Sequence, residues 1–524
     1  MNSLSLSIRE KVLQTVVLRH KQGVFCEEKV GGLFFGGEII TEAEDVGLDA
    51  VRETLARYVD HADIPPLITS DFENGCGSMI KGLTPFPYLS SLGATNDPEL
   101  AYRYGKATAM EARSIGANWS LSPVSDLLTN FRNPLVNVRS LTDDPQLACR
   151  MLPQVIRGMQ ENGLAACAKH FPGDGVDYRD QHIVTTENSL PMEQWWQLHG
   201  KVFAETIAAG VMSIMPGHIS LPAYQKERQD GLALPATLSS ELIEGLLKKE
   251  MGFRGIVVTD ALDMGGFLGW YESSRRGQVE SFKAGCDMML WPGEHYVDDL
   301  VEAVENGYVP MARLDDAVER ILNVKEALGL FGGNTQGQKL TAADQMYINS
   351  VQQETAEKSV TLVRDKLGIF PLCPDRHQKI TVVPITHYEP ALQEAELLCR
   401  ELEAHGFTVA YHPEGIKDED VEKTDLVLYA LFSRSFRPIG FLDFHSREAR
   451  KIRQYLPCGR HKTAVVSFGS PWFGDQYFQR AGTYVNAYSM LSPSVKAFVR
   501  AAVGEIPFGS FSPFQLHDKI EAKL

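Results

Sequence analysis

Two histidines and three aspartates lie within the stretch KHFPGDGVDYRDQH, residues 169–182. Lys169 and His170 open this stretch, and Asp180 and His182 close it after two glycines. Because Asp180 and His182 are two residues apart, both side chains project to the same side of an extended segment. A carboxylate beside an imidazole fixes its tautomer and raises its basicity, so this pair is suited to general acid–base catalysis. A solvated loop with incidental charges is the alternative interpretation.

Other candidates are polar residues that directly follow an apolar, strand-like run. Asp260 comes after GIVVT, and a carboxylate at the end of a buried strand costs free energy unless it faces an opening. Its alternative role is an N-cap for the following helix, worth about 1 kcal/mol, although Asp263 lies further from the strand and is the better cap candidate. By the same criterion Asp71 follows PLITS and His218 follows SIMPG. His218 is equally interpretable as a hydrogen-bonded histidine at the same edge.

A metal site is a competing interpretation of these side chains. No HExxH or similarly spaced set supports it, and the cation of Lys169 would repel a metal ion. We therefore expect no metal and no other cofactor. The residues of metal-ligand type are His170, Asp174, Asp180, His182 and His218.

Strand-like runs alternate with amphipathic helical patterns, and these elements must position the candidate residues. Such alternation predicts parallel strands joined by right-handed crossovers. About seven or eight units predict an α/β fold with a closed or nearly closed (β/α)8 TIM-like barrel, whose active site lies at the C-terminal ends of the strands. The runs are VGGLFFGG (30–37), PLITSD (66–71), ANWSLSPV (117–124), LAACAKHF (164–171), GVMSIMPGHI (210–219), GIVVTDAL (255–262) and DMMLWP (287–292).

A second set of strand-like runs predicts a second, smaller domain. We predict the barrel over residues 1–335, a glycine-rich and polar linker over 336–350, and an α/β sandwich domain over 351–524. The later runs indicate an open, mostly parallel sheet in that domain. They are KITVVPIT (379–386), FTVAYH (407–412), DLVLYALF (425–432), TAVVSFGS (463–470) and TYVNAYS (483–489).

Composition limits the partners and the location. The formal net charge of -16 leaves no basic surplus for nucleic-acid phosphates. No apolar run reaches the roughly 18 residues that span a membrane, and the N-terminus lacks the pattern of a secretory signal. The eight cysteines are scattered singly, without a CxxC pair or a disulfide-like framework. These features predict a cytoplasmic protein without a nucleic-acid or membrane partner, and they leave its oligomeric state open.

The stretch KHFPGDGVDYRDQH resembles the KHFPGHG…DSH signature of glycoside hydrolase family 3, in its two-domain bacterial β-N-acetylglucosaminidase branch. IVVTDALDM resembles the nucleophile segment of the same family. Further matching stretches run in family order over nearly the whole first domain, and the second domain is similar more loosely, through SFGSPW and NAYS…SVKAFVRAAVGE. The first-domain stretches are PLITSDFENG, SPVSDL, NPLVNVRS, SIMPGHI, PATLS, AGCDMML and ERILNVKEALGLF.

The resemblance implies a retaining mechanism. Asp260 matches the nucleophile that forms a covalent glycosyl-enzyme, and His182 matches an acid/base that Asp180 orients. By the same resemblance, four residues match those that hold the hydroxyls of the sugar, and His218 joins them as a residue lining the substrate site. The four are Asp71, Arg139, Lys169 and His170.

The activity implied is that of an exo-acting β-glycosidase acting on a β-linked carbohydrate, and within that class a β-N-acetylhexosaminidase. A β-glucosidase or other β-glycosidase remains an alternative, as does a β-glycoside phosphorylase that uses phosphate as the acceptor. A catalytically silent sugar-binding protein is a third class, because fold does not fix function.

Three departures from the family pattern bear on specificity. Cys76 stands where the branch carries the arginine of EGGR, Asp174 replaces the histidine of PGHG, and Gln181 replaces the serine of DSH. None is the expected nucleophile or acid/base. The loss of a guanidinium removes a planar donor that a thiol cannot imitate.

Overall fold

A computed structural model describes residues 6–21, 24–36, 47–333, 337–386, 388–433, 451 and 462–516. Its first part is a ring of eight short parallel strands. Five form one sheet in the order β8-β1-β2-β3-β4, and three form another in the order β5-β6-β7. The strands are β1 (Val16–Arg19), β2 (Gly32–Phe34), β3 (Leu67–Ser70), β4 (Trp119–Ser120), β5 (Cys167–Phe171), β6 (Ser213–Pro216), β7 (Ile256–Val257) and β8 (Met289–Leu290).

Backbone hydrogen bonds join the two sheets into a closed barrel. Between β4 and β5, the Ser120 N–H donates to the Ala165 carbonyl at 2.8 Å. Between β7 and β8, the Thr259 N–H donates to the Met288 carbonyl at 3.0 Å. Closure leaves the eight-stranded barrel sheet without a free edge, and it confirms the predicted α/β class with a (β/α)8 barrel.

Side chains fill the barrel interior. A buried cluster inside it includes Leu67, Trp119, Cys167, Ile256 and Met288, one from each of five strands or their immediate flanks. Each of the seven predicted runs contains a strand, although the regular pairing is shorter than the run. The eighth, β1, was not among the predicted runs.

Helices surround the barrel on its outer side. In this part of the chain they are Ile8–Gln14, Leu48–His61, Leu89–Thr95, Pro98–Ser114, Pro145–Gln160, Met192–Gln197, His199–Ala208, Glu241–Glu250 (π-helical), Ser274–Ala284, Tyr296–Glu305 and Met311–Ala327. None of the helices within the described residues is long and apolar enough to cross a membrane.

The second part of the chain forms a six-stranded sheet in the order β9-β14-β13-β12-β10-β11. Its pairings are parallel except between β9 and β14, which are antiparallel. The strands are β9 (Thr361–Asp365), β10 (Lys379–Thr386), β11 (Thr408–Tyr411), β12 (Leu426–Phe432), β13 (Thr463–Phe468) and β14 (Thr483–Asn486). All five predicted runs contain a strand, and β9 is additional. The helices are Ala342–Ser359, Pro374–His377, Leu392–Ala404, Asp418–Glu422, Pro471–Tyr477 and Ser492–Ala502.

A capped helix occupies most of the segment for which the sequence predicts a linker. The helix Ala342–Ser359 begins with a capping box between Thr341 and Asp344, so the chain is helical from residue 342 on. This helix is fastened to the barrel by two hydrogen bonds from the Arg103 guanidinium to the Glu354 carboxylate, at 2.7 and 2.9 Å. The division into domains at 335 and 351 stays a prediction.

The second sheet also supports the barrel near its mouth. Tyr88 and Val138, both from the barrel part, belong to the hydrophobic core cluster of the second sheet. Val138 precedes Arg139 in the short 3-10 helix Asn137–Arg139. The packing of the second sheet therefore helps to hold Arg139 in place.

Candidate active site

A cavity of about 160 Å³ opens at the C-terminal ends of the barrel strands. Parallel strands bring the residues that follow them to one edge of the barrel, as the fold predicts. Six of the eight predicted site residues line this cavity, while Asp180 and His218 lie behind its wall. The six are Asp71, Arg139, Lys169, His170, His182 and Asp260.

A buried ionic network holds one side of the cavity. The Lys169 ammonium lies 2.7 Å from both the Asp71 and the Glu73 carboxylates. Arg139 donates two hydrogen bonds to Glu73, at 2.7 and 2.8 Å. Burial works to raise the pKa of Glu73, but Arg139 and Lys169 hold it well below its usual value. Glu73 is therefore ionised, and its charge keeps the two cations ordered beside the cavity.

His170 is fixed from behind by Asp126. The Asp126 carboxylate accepts from the His170 ring Nδ1 at 2.7 Å and from its backbone N–H at 3.0 Å. Burial works to raise the pKa of Asp126, but the neighbouring His170 lowers it below its usual value. The imidazole therefore turns its Nε2 towards the cavity, where it lies 3.9 Å from Asp260.

Asp260 follows β7 and is held by backbone groups. Its N–H donates to the Pro216 carbonyl at 3.2 Å, and its Oδ1 accepts from the Ala261 N–H at 2.8 Å. Burial works to raise the pKa of this carboxyl, but the charges around it, first that of His170, lower it below its usual value. Asp260 is thus an anion near neutral pH.

The helix-cap alternatives for Asp260 and Asp263 are wrong. The next helix, Ser274–Ala284, begins more than ten residues later and is capped by Ser273. The position of Asp260 at the cavity is not explained by a need to cap that helix.

The predicted contact between Asp180 and His182 is present. The Asp180 Oδ1 accepts from His182 Nδ1 at 2.8 Å and from the His182 backbone N–H at 2.9 Å. The ring Nδ1 carries the hydrogen in this bond, an assignment made from the hydrogen-bond pattern. In the neutral imidazole, Nε2 is then left with a lone pair.

Glycines allow the loop that carries this pair to lie over the mouth. Gly265 and Gly266 donate backbone hydrogen bonds to the carbonyls of His182 and Gln181, at 2.7 and 3.1 Å. A Cβ at residue 265 would lie 2.2 Å from the Ile183 carbonyl oxygen. At the start of the loop, Gly175 has a φ of +96°, a left-handed conformation that favours glycine.

His218 was predicted to contact the substrate, but its ring is not free to do so. It is fully buried, and both ring nitrogens are bonded within the protein, Nδ1 to the Thr237 hydroxyl and Nε2 to the Ala261 carbonyl, each at 2.9 Å. Burial lowers the pKa of His218, so the ring is neutral. Its place is beneath Asp260 and Ala261, where it supports the turn after β7.

Two of the residues that depart from the family pattern, Cys76 and Asp174, are both buried but have different neighbours. Cys76 is fully buried against the Thr108 carbonyl, at 3.5 Å, and does not line the cavity. Asp174 is buried behind His170, where its Oδ1 accepts from Asn133 Nδ2 at 2.8 Å. Burial, and then the negative charge of Asp126, raise the pKa of Asp174 to about 8. A neutral carboxyl therefore sits behind the histidine near neutral pH.

The Asp174→Asn variant should lose part of the pH dependence of folding stability. An unfolded aspartate titrates near 3.9, and the folded Asp174 titrates at about 8. Between these values the folded protein binds more protons, so its stability falls as the pH rises from about 4 to about 8. Asparagine cannot ionise, and its unfolding free energy should fall less over this range, as measured by urea denaturation at pH 5 and pH 8.

Burial also raises the pKa of Glu111, to about 7. Because Glu111 is present in wild type and in Asp174→Asn, the difference between their stability curves isolates Asp174. Asp177→Asn is the control, because Asp177 lies in the same loop and its pKa is lowered instead. Parallel stability curves for wild type and Asp174→Asn between pH 5 and pH 8 would contradict the assignment.

Three residues near the cavity were missed from the sequence. Glu73 and Asp126 were missed because only the first polar residue after each run was considered. Trp291 was missed because only titratable residues were considered, although it directly follows β8. Trp291 has a left-handed backbone (φ 58°) and lines the cavity, and the Arg19 guanidinium stacks on its ring, 4.3 Å from the centroid.

No group of three or more side chains of metal-ligand type is placed to hold a metal ion within the described residues. The side chains of this site offer chemistry of their own. It consists of an anionic carboxylate, a histidine held by a carboxylate, and an ordered set of charged hydrogen-bonding groups.

The closed barrel and this set of groups at its mouth define a glycoside hydrolase. The family model described as "Glycosyl hydrolase family 3 N terminal domain" matches residues 7–324, and the chain belongs to this family.

Relatives and solved structures agree with that assignment. The chain is 32% identical over 511 residues to a "Beta-N-acetylglucosaminidase/beta-glucosidase" of Cellulomonas fimi, covering 92% of this chain and 88% of that protein. A "Beta-glucoside phosphorylase BglX bound to 2FGlc" has a TM-score of 0.86 and 28% identity, covering 98% of this chain and 95% of that chain. A glycoside hydrolase family 3 β-N-acetylglucosaminidase from Paenibacillus sp. str. FPU-7 has a TM-score of 0.82 and 27% identity, covering 98% and 99%.

Proposed function

We propose that the protein is an exo-acting retaining β-glycosidase and that its substrate is a β-linked N-acetylglucosaminide. One observation carries the proposal: the anionic Asp260 and the Asp180-bound His182 both line the same small cavity. A retaining enzyme needs a nucleophile and a separate proton donor at the anomeric carbon, and these two groups supply both roles.

In the first step Asp260 attacks the anomeric carbon from the side opposite the leaving group. The carbon–oxygen bond to the aglycone breaks as the bond to the carboxylate forms. Protonated His182 delivers its Nε2 proton to the departing oxygen, so the aglycone leaves as an alcohol. In the second step neutral His182 takes a proton from water, and the resulting hydroxide equivalent displaces Asp260.

Asp180 determines which nitrogen of His182 carries out this transfer. Its carboxylate engages Nδ1 at 2.8 Å and stabilises the imidazolium. Nε2 is therefore the nitrogen that exchanges the proton with substrate.

Sugar binding is assigned to Asp71, Arg139, Lys169 and His170. Lys169 uses two of its three N–H donors on Asp71 and Glu73, which leaves one for a hydroxyl. Charged hydrogen bonds of this kind orient a sugar as well as bind it. A cavity of about 160 Å³ is smaller than ordinary ligand pockets, which supports cleavage of one terminal sugar at a time.

Phosphorolysis is a second candidate for the same site. The similarity to a β-glucoside phosphorylase, with a TM-score of 0.86 at 28% identity, favours it. A carboxylate in the acid/base position would repel an incoming phosphate, whereas a neutral imidazole at His182 does not. In that reaction phosphate replaces water in the second step, and the product is a sugar 1-phosphate.

We also propose a cytoplasmic location. The seven cysteines within the described residues are all free, which fits a reducing compartment. The proposed partners are limited to the carbohydrate substrate, since the net charge of -16 disfavours nucleic acid.

A substrate panel tests this proposal. Wild-type protein is assayed with 4-nitrophenyl β-N-acetylglucosaminide, β-glucoside, β-xyloside and β-galactoside, each with and without phosphate and with and without EDTA. We expect the highest kcat/KM on the N-acetylglucosaminide, with no effect of EDTA. Acceleration by phosphate together with a sugar 1-phosphate product would assign phosphorolysis instead. If the wild-type protein cleaves none of the four glycosides, with or without phosphate, the proposal is overturned.

A further inference from the structure

The carboxamide of Gln181 is buried in the cavity wall, and its amino group makes no hydrogen bond within the described residues. Gln181 is fully buried and is one of the residues that line the cavity. Its Oε1 accepts from the His218 backbone N–H at 2.8 Å. Only an oxygen can accept that hydrogen, so the orientation of the amide is fixed. The Nε2 amino group then has no acceptor within the described residues.

The surroundings hold this amide in one position. Gly217 leaves room for it, because a Cβ at residue 217 would lie 2.8 Å from Gln181 Oε1 and 3.0 Å from the Cβ of His170. The backbone of Gln181 is fixed as well, by the Gly266 N–H that donates to its carbonyl at 3.1 Å. The carboxamide is therefore held in place close to the cavity-lining His170, and Gln181 directly precedes His182 in the chain.

An unpaired amide in such a position costs free energy in the unliganded protein. A side chain that accepts from the His218 N–H without carrying an amino group would avoid that cost. A buried polar group without a partner calls for an explanation, and beside a cavity a ligand that pairs with it supplies one. The ligand atom required here is a hydrogen-bond acceptor, because an amino group only donates.

We infer that Gln181 is a specificity-determining residue whose Nε2 donates a hydrogen bond to an acceptor oxygen of the substrate near the anomeric carbon. This inference rests on the proposed function, since it places a sugar in the cavity. The oxygen has two sources in that reaction. It belongs either to the substituent at C2 of the sugar, an acetamido carbonyl or a hydroxyl, or to the phosphate that attacks the glycosyl-enzyme.

The test compares Gln181→Met with Gln225→Met. Gln225 is also a buried glutamine whose Oε1 accepts a backbone N–H, that of Leu221 at 2.8 Å, but it does not line the cavity. Both variants lose a buried carboxamide and leave one backbone N–H unpaired. Each is assayed on the 4-nitrophenyl β-N-acetylglucosaminide and β-glucoside, with and without phosphate, after thermal melting has shown that it is folded.

We expect Gln181→Met to lower kcat/KM about tenfold for at least one combination of glycoside and phosphate. The kcat/KM of Gln225→Met should stay within about twofold of wild type. If the loss of kcat/KM differs between the two glycosides and does not depend on phosphate, the acceptor oxygen belongs to the C2 substituent. A loss confined to the phosphate-dependent rate assigns the phosphate. Equal effects of the two variants in every arm would overturn the inference.

Two further measurements keep the result independent of folding and of the proposed reaction. Gln181→Glu keeps an acceptor for the His218 N–H and removes the donor, so wild-type activity in this variant would also overturn the inference. If wild type is inactive on every glycoside, calorimetric titration with N-acetylglucosamine, glucose and phosphate decides. Weaker binding by Gln181→Met supports the role of Gln181, and unchanged or undetectable binding overturns it.

Discussion

Replacing Asp260 by asparagine should lower kcat about 10⁴-fold on every substrate that the wild-type protein cleaves. The carboxylate lies at the cavity with Ala261 N–H as a hydrogen-bond donor, and the charges around it, first that of His170, hold its pKa below the usual value. Asparagine preserves the shape but removes the charge that attacks the anomeric carbon. The variant is assayed with a 4-nitrophenyl glycoside, and its fold is checked by circular dichroism.

Asp97→Asn is the matched control for this variant. Asp97 caps the helix Pro98–Ser114, with its carboxylate accepting from Glu99 and Leu100 N–H groups, and it does not line the cavity. Its replacement should reduce stability slightly and leave kcat unchanged. A covalent adduct on the Asp260 peptide of wild type, seen by mass spectrometry after rapid acid quench, would support the same role. A kcat within tenfold of wild type for a folded Asp260→Asn protein would exclude Asp260 as the nucleophile.

The barrel could be predicted from the sequence because each of its features is local and repeated. A buried strand in a barrel needs a short apolar run, and each crossover helix needs an amphipathic pattern. β1, the sequence VVLR, escaped because it follows the helix Ile8–Gln14 directly, with only Thr15 between them. The same reasoning did not foresee a helix inside the segment predicted as a linker. The polar segment from residue 342 on contains a capping box and forms a helix that packs against the barrel.

The candidate site was predictable where a residue directly follows a strand. Asp71, Lys169, His170 and Asp260 lie at or next to the ends of β3, β5 and β7, and barrel closure brings them to one cavity. Arg139 lies in the long connection after β4, and no pattern in the sequence placed it beside Glu73. Only the family resemblance named it.

Partners of the site residues could not be predicted, because they depend on contacts between distant parts of the chain. Asp126 is 44 positions from His170, yet it accepts two hydrogen bonds from it. The neutral state of Asp174 likewise depends on its burial beside Asp126. Such partners determine which ring nitrogen of a histidine faces the cavity and which side chains near it are charged. The sequence therefore identified candidate residues but not their protonation.

Replacing Asp180 by asparagine should lower kcat about 10²- to 10⁴-fold on substrates whose leaving groups need a proton. The Asp180 carboxylate fixes Nδ1 of His182 as a donor and stabilises the imidazolium. An asparagine amide can accept from Nδ1 but supplies no charge, and after rotation it can instead donate to Nδ1 and leave the wrong tautomer. The loss should therefore be largest for an alkyl glycoside and smallest for a 2,4-dinitrophenyl glycoside, whose phenolate leaves without protonation.

Pre-steady-state kinetics separate the two roles of the pair. With the dinitrophenyl substrate, Asp180→Asn should release one equivalent of phenolate in a burst and then turn over slowly, because His182 must still activate water in the second step. Asp177→Asn is the control for loop integrity, since Asp177 pairs with Arg179 in the same loop and does not line the cavity. Its kcat should match wild type on both substrates. An equal loss for Asp180→Asn on alkyl and dinitrophenyl glycosides would show that the pair shapes the loop and does not transfer the proton.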